Sequence, residues 1–296
     1  MEIFLTRLFS GFAAGSVYAL IALTLVIVFR SSGTINFAQG EFALFTTYLA
    51  WWLNQLGLPL LAALPVVVLV GFGMGAATER FLISPISARS EMGVLIVSLG
   101  LFTALNGLSG LLWGSDDKPF RGVLPAGSFE IGGALLPYDV VGLMLVLVAV
   151  VVAVHLLLTR TPLGLSMRAV ATNRESAALS GVDVGRVLMS GWGLAAAIGA
   201  LAGVLLTPVL PPNQLSLATM FTVLIYGAAA ALLGGLDSIR GAVVGGLALG
   251  VAQAMIGGYL GAVGAEMKLT IAFLIIVGIL VVRPAGLFGT RGVVRV

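Results

Sequence analysis

The sequence has no cysteine, one histidine and only two lysines, Lys118 and Lys268, in 296 residues. Without cysteine there are no disulfides and no thiolate metal sites. His155 stands at the end of an apolar run, which suits an interfacial structural position better than catalysis. Neither lysine belongs to a G-x-x-x-x-G-K-[ST] sequence, so the chain carries no P-loop for ATP. No H-E-x-x-H, paired carboxylates or serine–histidine arrangement falls in one predicted cavity, leaving no catalytic residues and no metal ligands to name. An arginine ladder and an ion-filter sequence are missing too. The net charge of +3 is small and scattered over loops, which argues against nucleic acid as a partner. Charge of either sign is scarce, at 9% where a soluble domain has roughly 25%.

What is present is hydrocarbon: 59% hydrophobic residues and a mean hydropathy of +1.14. The composition predicts an all-α, polytopic transmembrane helical bundle in a lipid bilayer, of about 8–9 spans with one or two broken helices. A β-barrel is disfavoured because the apolar runs are continuous rather than alternating. Nine runs are candidate spans: 6–29, 38–54, 59–79, 92–113, 137–158, 187–207, 217–235, 241–260 and 268–282. The first is long enough to stay as a span rather than act as a cleaved signal peptide. The whole of 1–296 is expected to be one integral membrane domain, with no soluble domain at either end.

One polar stretch interrupts this pattern at length, the loop 159–187. It carries Arg160, Arg168, Arg174 and Arg186 against Glu175 and Asp183. Thr161 can cap a helix and Pro162 suits its first turn. One short helix is expected from there, with Gly181 placed to end it. On charge alone two readings stand: a docking surface for a cytoplasmic protein, or a loop whose arginines only set topology. Placing it in the cytoplasm puts the N-terminus outside and the C-terminus inside. It also puts eleven of the fifteen basic residues on the inner side and four (Arg7, Lys118, Arg121, Lys268) outside, as the positive-inside bias requires.

Of the 40 glycines, pairs such as Gly11–Gly15, Gly71–Gly75, Gly241–Gly245, Gly246–Gly250 and Gly257–Gly261 have the four-residue spacing that lets helices approach closely. Packing within one bundle explains them more simply than a dedicated dimer face. Two shorter interruptions place polar groups against hydrocarbon. In 31–42, Asn36, Gln39 and Glu41 follow Ser32–Gly33; a carboxylate there is costly unless paired or hydrated. The segment is either an unwound stretch lining a cavity or a tight turn with Glu41 in the first turn of the next helix. In 232–246, Gly234 and Gly235 precede Asp237 and Arg240, whose spacing allows an ion pair on one helical face. Glu79–Arg80, Asn106, Gln214 and Gln253 are taken as packing or boundary residues.

Several of these segments resemble one family, the membrane subunits of branched-chain amino-acid ABC importers of the shorter LivH-like type. They are GSVYALIALTLVIVF (15–29), INFAQGEF (35–42), ERFLISPI (79–86), TPLGLSMRAVATNRESAALSGV (161–182), LLGGLDSIRGAVVGG (232–246) and VRPAGLFG (282–289). The resemblance implies a multi-pass permease in a bacterial cytoplasmic (inner) membrane, working by alternating access. It implies as partners a second permease subunit, two cytoplasmic ATPases and an external solute-binding protein, with ATP and magnesium on the ATPases and no cofactor on this chain. The loop is similar to the E-A-A-x-x-x-G motif of import permeases, read here as Glu175-Ser176-Ala177, three residues, then Gly181. ATPase coupling is thereby assigned to Arg168, Asn173, Glu175, Ala177 and Gly181, and the substrate path to Asn36, Gln39 and Glu41. Ser176 stands where relatives carry alanine, Gln39 where many carry histidine, Tyr226 where many carry lysine, and Arg240 where proline is usual. Two rivals from other classes are a stand-alone facilitator or channel for urea-like solutes and a non-transporting scaffold; an ABC permease for short amides is a third.

Overall fold

The computed structural model describes residues 2–87, 90–120, 122–123, 127–209, 214–259, 268–283 and 285–289. Arg89, Arg121, Arg291 and Arg295 from the charge count, and Gly261 of the last glycine pair, lie outside them. The helices are α1 (Glu2–Ser32), α2 (Gln39–Gln55), α3 (Leu60–Thr78), α4 (Ser84–Ser87), α5 (Glu91–Trp113), α6 (Tyr138–Arg160), α7 (Pro162–Thr172), α8 (Arg174–Leu179), α9 (Val184–Leu206), α10 (Thr219–Gly234), α11 (Ile239–Tyr259) and α12 (Lys268–Val282). A π-helical turn, Glu79–Ile83, joins α3 to α4 in one rod.

Each of the nine apolar runs falls on a helix. Among the described residues six helices are long and apolar enough to cross a membrane: α1, the α3–α4 rod, α5, α6, α9 and α11. The others, α2, α10 and α12, have 17, 16 and 15 residues. The nine runs are therefore not nine equal spans. The body is helical as expected, but the loop before α6 holds a small hairpin the sequence reading missed. Here β2 (Ser128–Ile131) pairs antiparallel with β3 (Ala134–Pro137) across Gly132 and Gly133. Both glycines have positive φ, as a tight two-residue turn requires. Nearby β1 (Lys118–Pro119) pairs with β4 (Gln214–Leu215).

The core sits around α1 and α9, whose apolar windows are 83% and 78% buried, against 17% for α6. α1 is apolar on every face because it is covered on every face, by α11, α9, α10 and α6. In a bilayer lipid is as apolar as leucine, so helices associate through close packing and not through the hydrophobic effect. The glycine pairs supply that closeness inside the chain. A Cβ on Gly246 would stand 2.4 Å from Ala19 N, and one on Gly75 would stand 2.4 Å from Trp192 O. The intramolecular reading holds for the four pairs whose glycines are both described. Large apolar side chains such as Leu111 (83% exposed) and Leu69 (72%) stand on the outside, where water would penalise them and lipid does not.

Candidate functional site

Both breaks in the apolar sequence are real, and they do different things. After α1 ends at Ser32 the chain is non-helical over 33–38. Asn36 folds this segment on itself, its Oδ1 accepting from Ala38 N at 3.0 Å. Gln39 Nε2 donates to Ala195 O at 2.9 Å, and Ala195 is the middle residue of α9. Phe42 packs with Ala196, Leu105 and Met74, the last midway along the 60–87 rod. Thus α2 begins half-way along its neighbours. α10 begins at the same level, since a Cβ on Gly40 would meet Met220 O at 3.0 Å. Two short helices so meet near their N-terminal ends inside the bundle, where unpaired N–H groups and helix dipoles favour negative charge. Each reading of 31–42 is met in part: the chain is unwound over 33–38, and Glu41 stands in the first turn of α2.

Glu41 places a carboxyl group there. It is fully buried, and its Oε2 accepts from Asn106 Nδ2 of α5 at 3.1 Å. The same amide nitrogen donates to Leu217 O at 3.0 Å, just ahead of α10. Glu41 Oε1 has no hydrogen-bond partner among the described residues. The structure therefore joins Asn36 to Gln39, whose Oε1 accepts from Asn36 Nδ2 at 3.3 Å on the α9 side, and pairs Glu41 instead with Asn106 of α5, a residue the sequence presents only as a packing residue. The available signal was the one side-chain amide in the apolar run 92–113, flanked on its helical face by Thr103 and Ser109. Substituting Asn106 by leucine removes both donated bonds and strands the carboxylate. We expect a loss of about 1–3 kcal/mol, read as a lowered thermal unfolding temperature in detergent, with Asn106→Gln recovering part of it.

On the other side of the α10 N-terminus lies a cavity of about 780 Å³. Leu217 separates Ser216 and Ala218, both of which line it. Its polar groups include Thr219 and Thr222 of α10, Tyr18 and Arg7 of α1, Gln253 of α11 and Tyr226. The Tyr18 and Tyr226 rings pack at 4.9 Å between centroids. No residue of 33–41 lines this cavity; Glu41 reaches its wall only through Asn106 and Leu217.

The second break is a lock. Gly235, at φ +107, turns the chain out of α10, and Ser238 Oγ accepts from Gly241 N to start α11. Asp237 therefore precedes the helix and does not share a helical face with Arg240, contrary to the spacing argument, because a glycine at positive φ ends the helix first. The 282–289 motif closes over this turn: Leu287 N donates to Leu233 O and Phe288 N to Gly234 O, each at 2.9 Å. Asp237 and Arg240 border a separate cavity of about 490 Å³ with Arg30 and His155.

The 159–187 loop folds as two short helices, not one. Thr161 Oγ1 accepts from Gly164 N with Pro162 in the first turn, as expected. Asn173 ends α7 through its own N–H to Ala169 O and starts α8 by accepting from Ser176 N on its side chain. That double role is what splits the helix. Gly181 then ends α8 at φ +84, with Gly181 N to Ala178 O and Val182 N to Ala177 O both at 3.0 Å. Ala177 faces inward against Met167, Val170, Val187 and Leu188. Arg168, Asn173, Glu175 and Gly181 are exposed. So are two leucines, Leu165 at 62% and Leu179 at 85%. Arg174 reaches back to the bundle, donating from Nη2 to Ser32 O at the last residue of α1.

Compared with known proteins, residues 7–280 match the model of the family described as the branched-chain amino acid transport system / permease component. The chain belongs to this family. It is 30% identical to the high-affinity branched-chain amino acid transport system permease protein BraD of Pseudomonas aeruginosa, over 99% of this chain and 98% of that one. It is 31% identical to LivH, named likewise, of Salmonella typhimurium, at the same coverage. Among solved structures, PsaBC from Streptococcus pneumoniae in complex with Fab resembles it in fold, with a TM-score of 0.50 and 15% identity over 94% of this chain and 90% of that one.

Proposed function

We propose that this chain is the permease subunit of an ATP-driven importer for branched-chain amino acids in a bacterial inner membrane. The N-terminus lies outside and the C-terminus in the cytoplasm. A second permease, two ATPases that hold the ATP and magnesium, and an external binding protein complete the machine. The observation that carries the reading is the α7–α8 pair. It presents bare leucines beside Arg168 and Glu175 in an otherwise polar loop, and Arg174 fastens it to the end of α1. A loop that only set topology would have no use for either feature. Motion imposed on α8 by an ATPase would be passed to Ser32 and then to the unwound segment, with Gln39 carrying it to α9.

The 780 Å³ cavity is the solute path in this reading. The polar N-terminus of α10 suits a carboxylate and the cavity's apolar wall suits an aliphatic side chain. The polar cluster of Asn36, Gln39, Glu41 and Asn106 supports the path from behind.

The test is leucine uptake into proteoliposomes holding the complex purified with its native partners. ATP-dependent uptake, competed by isoleucine and valine and not by urea or acetamide, is expected. Uptake by this chain alone without ATP would replace the importer by a facilitator. Thr222→Trp, which narrows the cavity beside the α10 N-terminus, is expected to cut uptake more than tenfold and leave ATPase co-purification unchanged.

A further inference from the structure

Beneath α6 the bundle leaves a narrow groove of about 190 Å³ that the solute path does not use. Its walls are almost pure hydrocarbon: Ile27 of α1, Val150, Ala153 and Val154 of α6, and Leu194 and Ile198 of α9. Along α6 the lining runs from Val150 to Leu158, about 12 Å of helix. At the end of the groove nearest the α7–α8 loop stand two guanidinium-bearing residues, Arg30 of α1 and Arg168 of α7. The one ion pair among the described residues is Arg186 with Asp183. Among the described residues neither Arg30 nor Arg168 makes an ion pair, although Arg30 also borders the cavity that Asp237 lines. The outer face of α6, with Leu145 and Val148 at 65% and 60% exposure, is open to hydrocarbon.

A dry slot with two cations at its mouth suits an amphiphile. A soluble anion needs no slot, and an apolar helix of a partner would bury the cations uncompensated. We propose that the groove binds one anionic phospholipid of the inner leaflet, its phosphate held by Arg30 and Arg168 and one acyl chain lying between α6 and α9. The leaflet assignment rests on the orientation proposed above. Because Arg168 lies on α7, the lipid braces the coupling loop against α1 and α6, making transport sensitive to the anionic lipid content of the membrane.

The test is native mass spectrometry of the delipidated full-length chain, titrated with phosphatidylglycerol or with phosphatidylcholine of the same acyl chains. Wild type should retain one phosphatidylglycerol at concentrations where phosphatidylcholine is lost. Arg30→Gln with Arg168→Gln should weaken that retention roughly tenfold, while lysine at both positions should keep most of it. Ala153→Trp fills the slot without touching charge and should weaken it too. Equal retention by wild type and the glutamine variant overturns the proposal, as does an Ala153→Trp variant that binds normally. Displacement of the lipid by millimolar inorganic phosphate alone also overturns it, since the site would then read a free anion. Retention is read without transport, so the importer reading and this one fail separately.

Discussion

Replacing Gly250 by valine is expected to abolish the folded chain, the largest effect any single substitution should have here. A Cβ at Gly250 would stand 2.2 Å from Gly15 N, 2.3 Å from Gly15 Cα and 2.6 Å from Gly11 O. All three are backbone atoms, so no side chain can swing aside. Relief requires α1 to move, and α1 is packed on every side by α9, α10 and α6. Ordinary overpacking costs about 1–3 kcal/mol, and a backbone clash between two core helices lies beyond that range. The same contact also shapes the 780 Å³ cavity, which Gly250 and Gln253 of α11 line together with Tyr18 of α1. Size-exclusion of detergent-extracted, fluorescently tagged protein checks this: the monodisperse peak should disappear for Gly250→Val. Gly100→Val should keep it, since a Cβ there meets nothing within 4 Å. Equal peaks for the two variants would show that α1 and α11 do not pack backbone to backbone.

How much of this was legible in the sequence follows from what hydropathy can encode. Apolar length is encoded, and each of the nine runs is a helix. Caps are encoded, and Thr161 with Pro162 at one end and Gly181 at the other behave as their chemistry dictates. Depth is not. Nothing in the run 38–54 says that α2 starts at the level of Ala195 and Met74, because a half-length helix and a full span begin with the same kinds of residues. Sidedness is not encoded either: Leu20 is fully buried and Leu111 is 83% exposed, and in lipid both are equally comfortable. Asn106 was unreadable for a related reason. Its role depends on Glu41, 65 positions away, and a lone amide in an apolar run has no local pattern to announce its partner. Asn173 is a local case: within what reads as one helix from Thr161 to Gly181, its side chain caps a second helix three residues on.

The second large effect is expected at the α7–α8 pair, from Glu175→Lys combined with Gly181→Trp. Both positions are exposed, and a Cβ on Gly181 meets nothing within 4 Å, so neither new side chain has a core to disrupt. What the change costs the chain itself is backbone strain at φ +84, about 1–2 kcal/mol for a residue with a Cβ. To this is added a small electrostatic loss where Glu175 sits in the first turn of α8. What it does to the surface is larger: a bulky ring beside Leu179 and a reversed charge on the face that carries Arg168. Co-purification of the ATPases and ATP-dependent leucine uptake should both fall to background, with the detergent unfolding temperature of the isolated chain little changed. Strain alone could imitate part of this result, and Gly57→Trp separates the two explanations. Gly57 also has positive φ, +92, and also meets nothing within 4 Å, but it lies in the turn between α2 and α3, at the far end of the bundle from α8. It carries the same strain without touching the docking face, and uptake should survive it. If Gly57→Trp abolished uptake as completely, the loss at Gly181 would report a distorted bundle, and the coupling role of α8 would have to be given up.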